Sequence, residues 1–187
     1  MAKPIEYGIE KLAANQACYL AQELANLIDT VHNQGLSFDR LTDLVPEEYA
    51  VHWQETLKFL QIITEYWPQI LAERQLIDAS DRRNRLLRAQ IDLWRQNPPV
   101  KRIVAAGTTA AFPLMKELVK TVLSLEKGEL YLAGIDKFLE DEAWEKIDET
   151  HPQHELKELL DYLTVRREDI PDLQAPENFG REVLISE

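Results

Sequence analysis

A chain of 187 residues with 45% hydrophobic and 29% charged content has the make-up of a globular protein, which excludes wholesale disorder. Its net charge of -12 disfavours broad attraction to nucleic acid or anionic membrane, while leaving room for a local basic patch. No apolar run reaches the ~20 residues of a membrane span, the N-terminus lacks a secretory apolar core, and the single cysteine, Cys18, excludes an internal disulfide and a cysteine zinc site, so a cytoplasmic location fits.

Leu20, Leu24, Leu27, Ile28 and Val31 share one face of a helix predicted from about Ile9 to His32. Gly35 supplies its stop, being free to take a left-handed cap. Ala17, Cys18, Ala21 and Ala25 are small, so a neighbour could approach closely. Cys18 is read as a packing residue, since no base stands beside it. Ser37 is placed to cap a short turn through Leu41. Pro46, with Glu47 and Glu48 behind it, opens a second helix expected to reach about Arg74. Trp53, Leu57, Leu60, Thr64, Trp67 and Leu71 track one stripe. Phe59, Ile62, Ile63, Tyr66 and Ile70 widen it, which predicts burial on more than one side. Pro68 interrupts that pattern, so a kink or break is expected near Trp67. Trp53, Tyr66 and Trp67 have the chemistry of a base-stacking platform, but their spacing fits core packing better.

Asp78-Ala79-Ser80-Asp81 opens a third helix with Leu86, Leu87, Ile91 and Trp94 as its predicted apolar face. It ends before Asn97-Pro98-Pro99, the clearest boundary in the chain. An apolar run from Arg102 to Ala106 then meets Gly107-Thr108-Thr109. A helical pattern follows from Pro113 to about Leu125, Gly128 breaks it, and a second apolar run, Glu129 to Ala133, ends at Gly134. Strand, loop, helix, strand is the order of a parallel βαβ unit. Beyond it lies a short acidic helix within 136–147. Another helix starts at Thr150-His151-Pro152, with Leu156, Leu159, Leu160 and Leu163 as its buried stripe. The last residues read as the opening turns of a further helix, so the chain is expected to be a truncated piece. The fold class is mostly α with a small α/β centre.

Few residues carry the marks of chemistry. The Gly107-Thr108-Thr109 loop has the position of a phosphate cradle, but no G-x-x-x-x-G-K-[ST] occurs and the loop holds no lysine. The strand end where a nucleotide-hydrolysing domain places magnesium-binding carboxylates carries Ala105 and Ala106. Asp141-Glu142-Ala143-Trp144 resembles a helicase acidic box in letters only, because no apolar strand delivers it. His151 and His154 could share a helix face and a metal, yet no third ligand is marked and exposed or structural histidines are the plainer reading. No catalytic, cofactor-binding or metal-binding residue is therefore assigned. From Arg82 to Arg102 there are seven basic residues, Arg82, Arg83, Arg85, Arg88, Arg95, Lys101 and Arg102, against one acid, Asp92. These seven are the DNA-contact candidates. The plainer alternative is a solvated helix face, or pairing with the acidic 140–149 segment.

Tyr49-Ala50-Val51-His52-Trp53-Gln54-Glu55-Thr56-Leu57-Lys58-Phe59-Leu60, Trp67-Pro68 and Leu71-Ala72-Glu73-Arg74 resemble a stretch of the AddB family, a double-strand break repair subunit, in its alphaproteobacterial form. So do Arg82-Arg83-Asn84, Leu86-Leu87 and Trp94 with Asn97-Pro98-Pro99. Val104-Ala105-Ala106-Gly107-Thr108-Thr109 with Pro113 is similar to that family's AAGSTGxxPA element. Gly134-Ile135-Asp136, Trp144, His151-Pro152-Gln153 and Leu159-Leu160 follow in order, and Gly180-Arg181, Leu184 and Ser186-Glu187 resemble the start of a family helix. Ala110-Ala111-Phe112 departs from a Gly-Ser-Ile-like run, and His154 from an aromatic or small residue.

The resemblance implies a non-catalytic fragment from the N-terminal half of a longer subunit. That half looks like a superfamily I helicase whose nucleotide site is lost. Residues 1–97 would be a helical insertion, and 98–187 part of a degenerate RecA-like (P-loop NTPase-like) domain. The implied partners are an AddA-type helicase–nuclease subunit, and DNA within the full complex; no cofactor and no membrane are implied. The fragment would serve DNA handling and complex assembly. A protein–protein module docking on the helicase partner without touching DNA is the second expectation, and a metal-dependent hydrolase using His151 and His154 the third.

Overall fold

The computed structural model of the chain describes residues 13–38 and 60–173. It is mostly helical with one small two-stranded sheet. The described residues fall into two compact units. The first takes 13–38, 60–105 and 112–130, and the second takes 106–111 and 131–173. The units divide near residues 105 and 130, whereas the sequence placed its boundary at 97/98.

In the first unit, α1 spans Ala14–Asn33. Its end is a left-handed cap: Gly35 has φ +68°, its amide donates to His32 O, and Leu36 N donates to Val31 O at 2.9 Å. Of the expected stripe only Ile28 is buried, and Leu27 is exposed. Ala17, Cys18, Ala21 and Ala25 are exposed as well, so Cys18 is not a packing residue. Ala21, Leu24, Ala25 and Ile28 instead line an apolar groove of about 400 Å³ together with Ile62, Ile63 and Trp67.

The second predicted helix is described from Leu60 onward; Pro46, Trp53, Leu57 and Phe59 lie outside the described residues. The break expected at Pro68 takes a specific form. Ile62–Tyr66 is a π-helical turn, closed by a bond from Trp67 N to Ile62 O, and α2 then runs Trp67–Glu73 with Pro68 in its first turn. Proline has no N–H to give to the carbonyl four residues back, and its ring crowds that carbonyl. Widening the preceding turn relieves both. In the described part, 60–74, burial is not on more than one side: only Ile63 is buried, while Trp67 and Ile70 are exposed.

Helix α3 spans Ala79–Gln96. Asp78 holds the N-cap position, but its carboxylate accepts from Trp67 Nε1 at 2.8 Å instead of capping. The face turned inward is Ser80, Asn84, Leu87, Ile91 and Trp94; three of the four residues of the predicted apolar face lie on it, and Leu86, 59% exposed, does not. The reason is polar. His32 Nδ1 lies 2.9 Å from Ser80 Oγ, and Asn84 Nδ2 donates to His32 O at 2.7 Å. At the last turn of α1, Asn84 adds a second donor to His32 O beside the Gly35 amide, and Ser80 engages the His32 ring. These bonds rotate α3 so that two polar residues are buried in its first turns.

Strand β1, Ile103–Ala106, leads through a loop to α4, Pro113–Ser124, and back to β2, Gly128–Tyr131. Ile103 N donates to Lys127 O and, four residues further along each chain, Gly107 N donates to Tyr131 O. That constant offset is parallel pairing. In the first unit α4 packs on α3, and Val119 and Val122 supply the buried face. The second strand starts at Gly128 itself, one residue before the predicted run. A Cβ there would stand 1.7 Å from Val122 O, so only glycine lets the chain turn back this closely over α4.

The second unit holds α5, Asp141–Glu145, and α6, His154–Leu163. Leu156, Leu159 and Leu160 are buried as the periodicity predicts, each contributing about 1.5–3 kcal/mol of hydrophobic stabilisation. Trp144, on α5, is buried as well. The helix starts at His154, leaving His151 in the turn before it. No described helix is long and apolar enough to cross a membrane.

Candidate nucleic-acid interface

Helix α3 forms because Arg, Leu, Gln and Ala dominate it, all good helix formers, and Asn97-Pro98-Pro99 ends it. Five of the seven basic candidates sit on it. At about 100° per residue they do not share a face. Arg83 and Arg95 leave on opposite flanks of the buried stripe, roughly 120° apart. Arg83 donates to Asn33 Oδ1 and lies over the Phe112 ring, 5.6 Å from its centroid. Arg95 reaches Glu117 at 2.9 Å.

Arg102 donates in a fork to Glu129 on the neighbouring strand, at 2.7 and 2.5 Å. Arg85 makes an i,i+4 pair with Asp81 at 2.8 Å. Arg82, Arg88 and Lys101 are exposed, and their side chains have no hydrogen bond or ion pair among the described residues. Among the described residues the ion-pair partners seen for these side chains come from the first unit itself. They are Asp81, Glu117 and Glu129, and only the first was visible in the sequence, as an i,i+4 spacing. The other two are 22 and 27 residues away and are brought in by packing.

Three of the arginines form a ridge. Arg82, Arg85 and Arg88 are three residues apart, and side chains at that spacing line up along a helix surface. All three are exposed. Ala79, Arg82, Arg83, Leu86, Leu87 and Gln90 line an open depression along the same helix. A row of guanidinium groups beside exposed aliphatic surface can contact phosphate and sugar without reading bases.

The loop after β1 has its own chemistry. Gly107 takes φ +68° and Ala110 φ +51°, with Ala110 1% exposed. A left-handed alanine is disfavoured by about 1–2 kcal/mol. The bond from Ala110 N to Thr108 Oγ1, at 3.0 Å, holds it there. Thr109 Oγ1 donates to Glu155 Oε2. Both hydroxyls thus face protein partners, and one of them carries a carboxylate, which repels phosphate. At the start of α4, Pro113 has no N–H, and Met115 N and Lys116 N both bond to Phe112 O.

His151 and His154 do not converge on a third ligand. His151 Nδ1 accepts from Gln153 N, and His154 Nε2 lies 3.6 Å from Glu158. His154 Nδ1 is buried and has no hydrogen-bond partner among the described residues. Among the described residues no group of three or more His, Cys, Asp or Glu side chains could hold a metal ion. Of the aromatic set, Tyr66 and Trp67 are described and Trp53 is not; the Trp67 indole is tied to Asp78. Comparison of the chain with family models, curated proteins and solved structures finds no match.

Proposed function

We propose that the chain is a non-catalytic piece of a double-strand break repair helicase–nuclease subunit, and that it serves DNA handling and assembly of that complex. In this reading β1, α4 and β2 are part of a degenerate RecA-like domain and the helices before them are an insertion. The observation that carries it is the loop at 107–111. It sits where a nucleotide-binding protein cradles phosphate, yet its hydroxyls are engaged by Ala110 and Glu155, and Ala105 and Ala106 precede it. The ridge of Arg82, Arg85 and Arg88 is the surface on which such a piece would touch the DNA backbone.

Two titrations test this. Nucleotide with magnesium should show no saturable binding; tight binding would remove the lost-site reading. DNA affinity of the complex should fall with added salt, and Arg82→Glu with Arg88→Glu should lower it about 10-fold or more. Unchanged affinity would remove the ridge. A second reading, docking on a protein partner without DNA contact, is favoured by one observation in the second unit, the loop that carries Phe138.

A further inference from the structure

Phe138 is 98% exposed, more than any other large apolar side chain described. An exposed apolar residue is ordinary by itself. What sets this one apart is the backbone beneath it. Gly134 O accepts from Gln153 Nε2 at 2.8 Å, and the same side chain's Oε1 accepts from Asp136 N at 3.1 Å. Arg167 Nη1 donates to Asp136 O at 3.1 Å. The Asp136 carboxylate accepts from Phe138 N and Leu139 N, at 2.9 and 3.0 Å. Lys137 Nζ donates to Ile170 O and to Asp172 at 2.6 Å. Every residue from Asp136 to Leu139 is held by a bond, and none of these bonds involves the phenyl ring.

The ring's surroundings give the partner's chemistry. The Lys137–Asp172 pair ties the loop to the stretch that carries Leu173, itself 75% exposed. Each exposed apolar residue stands one position beyond the pair. Glu140, Asp141 and Glu142 follow directly and are exposed, as is Asp172, while the nearby cations Lys137 and Arg167 are already paired. The patch is one exposed aromatic on a hydrogen-bonded backbone, with an acidic border. A second copy of the chain, also carrying -12, is repelled on approach.

We infer that Phe138 is a pre-formed anchor that inserts into an apolar pocket, bordered by lysine and arginine, on a different protein. Rigid aromatics of this kind dominate binding energy because little conformational freedom is lost when they enter a pocket. Asp136 acts as a positioning residue for the ring. The inference rests on the assembly reading above, in which that protein is the helicase–nuclease partner subunit.

The test measures affinity of the full chain for that subunit. Phe138→Ser should weaken it about 30-fold or more, the size of loss typical of such anchors. Phe138→Trp should retain most of it. Asp136→Ala should lose less than Phe138→Ser, since the ring is kept and only its positioning is lost. Binding should weaken with added salt. Equal binding by wild type and Phe138→Ser overturns the anchor and leaves the assembly reading standing. No binding by wild type overturns the assembly reading and this choice of occupant together. Self-association in sedimentation that Phe138→Ser abolishes also overturns it, by making the occupant a second copy.

Discussion

Arg167 lies over the indole of Trp144, its guanidinium carbon 4.8 Å from the ring centroid. The Arg167 side chain is 9% exposed, and it also reaches Asp136 O and Asp141 Oδ1. One residue thus joins the 3₁₀ turn at Arg167–Asp169, the acidic helix α5 and the loop that carries Phe138.

Removing that side chain strips a donor from a backbone carbonyl and uncovers a buried tryptophan. Arg167→Ala should lower the unfolding free energy by about 2–3 kcal/mol, from the lost cation–π contact and the lost hydrogen bonds. Arg167→Lys should restore less than half, because an ammonium lacks the planar fork that serves two acceptors at once. Urea denaturation reads both values; an Arg167→Ala change under ~0.5 kcal/mol, the range of ordinary surface substitutions, would contradict the role given to it.

Two glycines should respond differently to alanine. At Gly128 the new Cβ meets the Val122 carbonyl at 1.7 Å, and backbone cannot move aside cheaply. The expected loss is about 3 kcal/mol or more, at the upper end of overpacking effects. At Gly35 there is open space and only the left-handed φ of +68° to sustain, so the expected loss is about 1–2 kcal/mol. Equal losses in thermal unfolding would show that the close return over α4 is not what requires Gly128.

The polar junction between α1 and α3 gives a third expectation. Asn84 is 8% exposed and donates to His32 O. Asn84→Ala should lower stability by about 0.5–1.5 kcal/mol, the net worth of one hydrogen bond, since His32 O keeps the Gly35 amide as a donor. Leu86→Ala, on the exposed side of the same helix, should change it by under ~0.5 kcal/mol. The reverse order would restore the face through Leu86 as the buried one.

Asp148 supplies a pH dependence. The Thr150 hydroxyl and the Thr150 amide both donate to its carboxylate and hold its pKa below the ordinary 3.8. A carboxyl whose folded pKa is depressed adds stability that is full above its unfolded pKa and disappears as pH falls through the lower folded value. The contribution is therefore lost in acid, below 3.8. Thr150→Val removes the hydroxyl donor and should move the Asp148 titration upward, read by carboxyl-carbon NMR; an unmoved titration would assign the shift elsewhere.

Among the basic residues, partnered and unpartnered ones should separate. Arg95 and Arg102 already face Glu117 and Glu129. Arg95→Ala and Arg102→Ala should change the salt dependence of DNA binding by less than Arg82→Ala or Arg88→Ala, each of which should reduce the slope by about 1 if it meets a phosphate. Equal slopes across the four would mean that pairing within the protein does not select the contacts.

The elements that local physics controls were legible in the amino-acid order. Gly35 ends α1 because a left-handed position suits glycine, and Pro68 disrupts its helix because it lacks an N–H. Leu156, Leu159 and Leu160 are buried because their period fits one helix face. The order strand, loop, helix, strand followed from apolar runs and the breaks between them. What depends on which surfaces meet was not legible. Leu86 looked as apolar as Leu87, and only the bonds from Ser80 and Asn84 to His32 decided which side of α3 turns inward. Seven basic residues in 21 positions looked like one patch. The helix spread them, and acids from α4 and β2 paired with two of them. Phe138 gave no signal at all, because exposure belongs to the folded loop and not to the residue. Sequence determined the kind and order of the elements and the breaks between them, since caps, breaks and periodicity act over a few residues. Tertiary structure alone decided which faces are covered and which charges are left unpaired, because those depend on partners far along the chain.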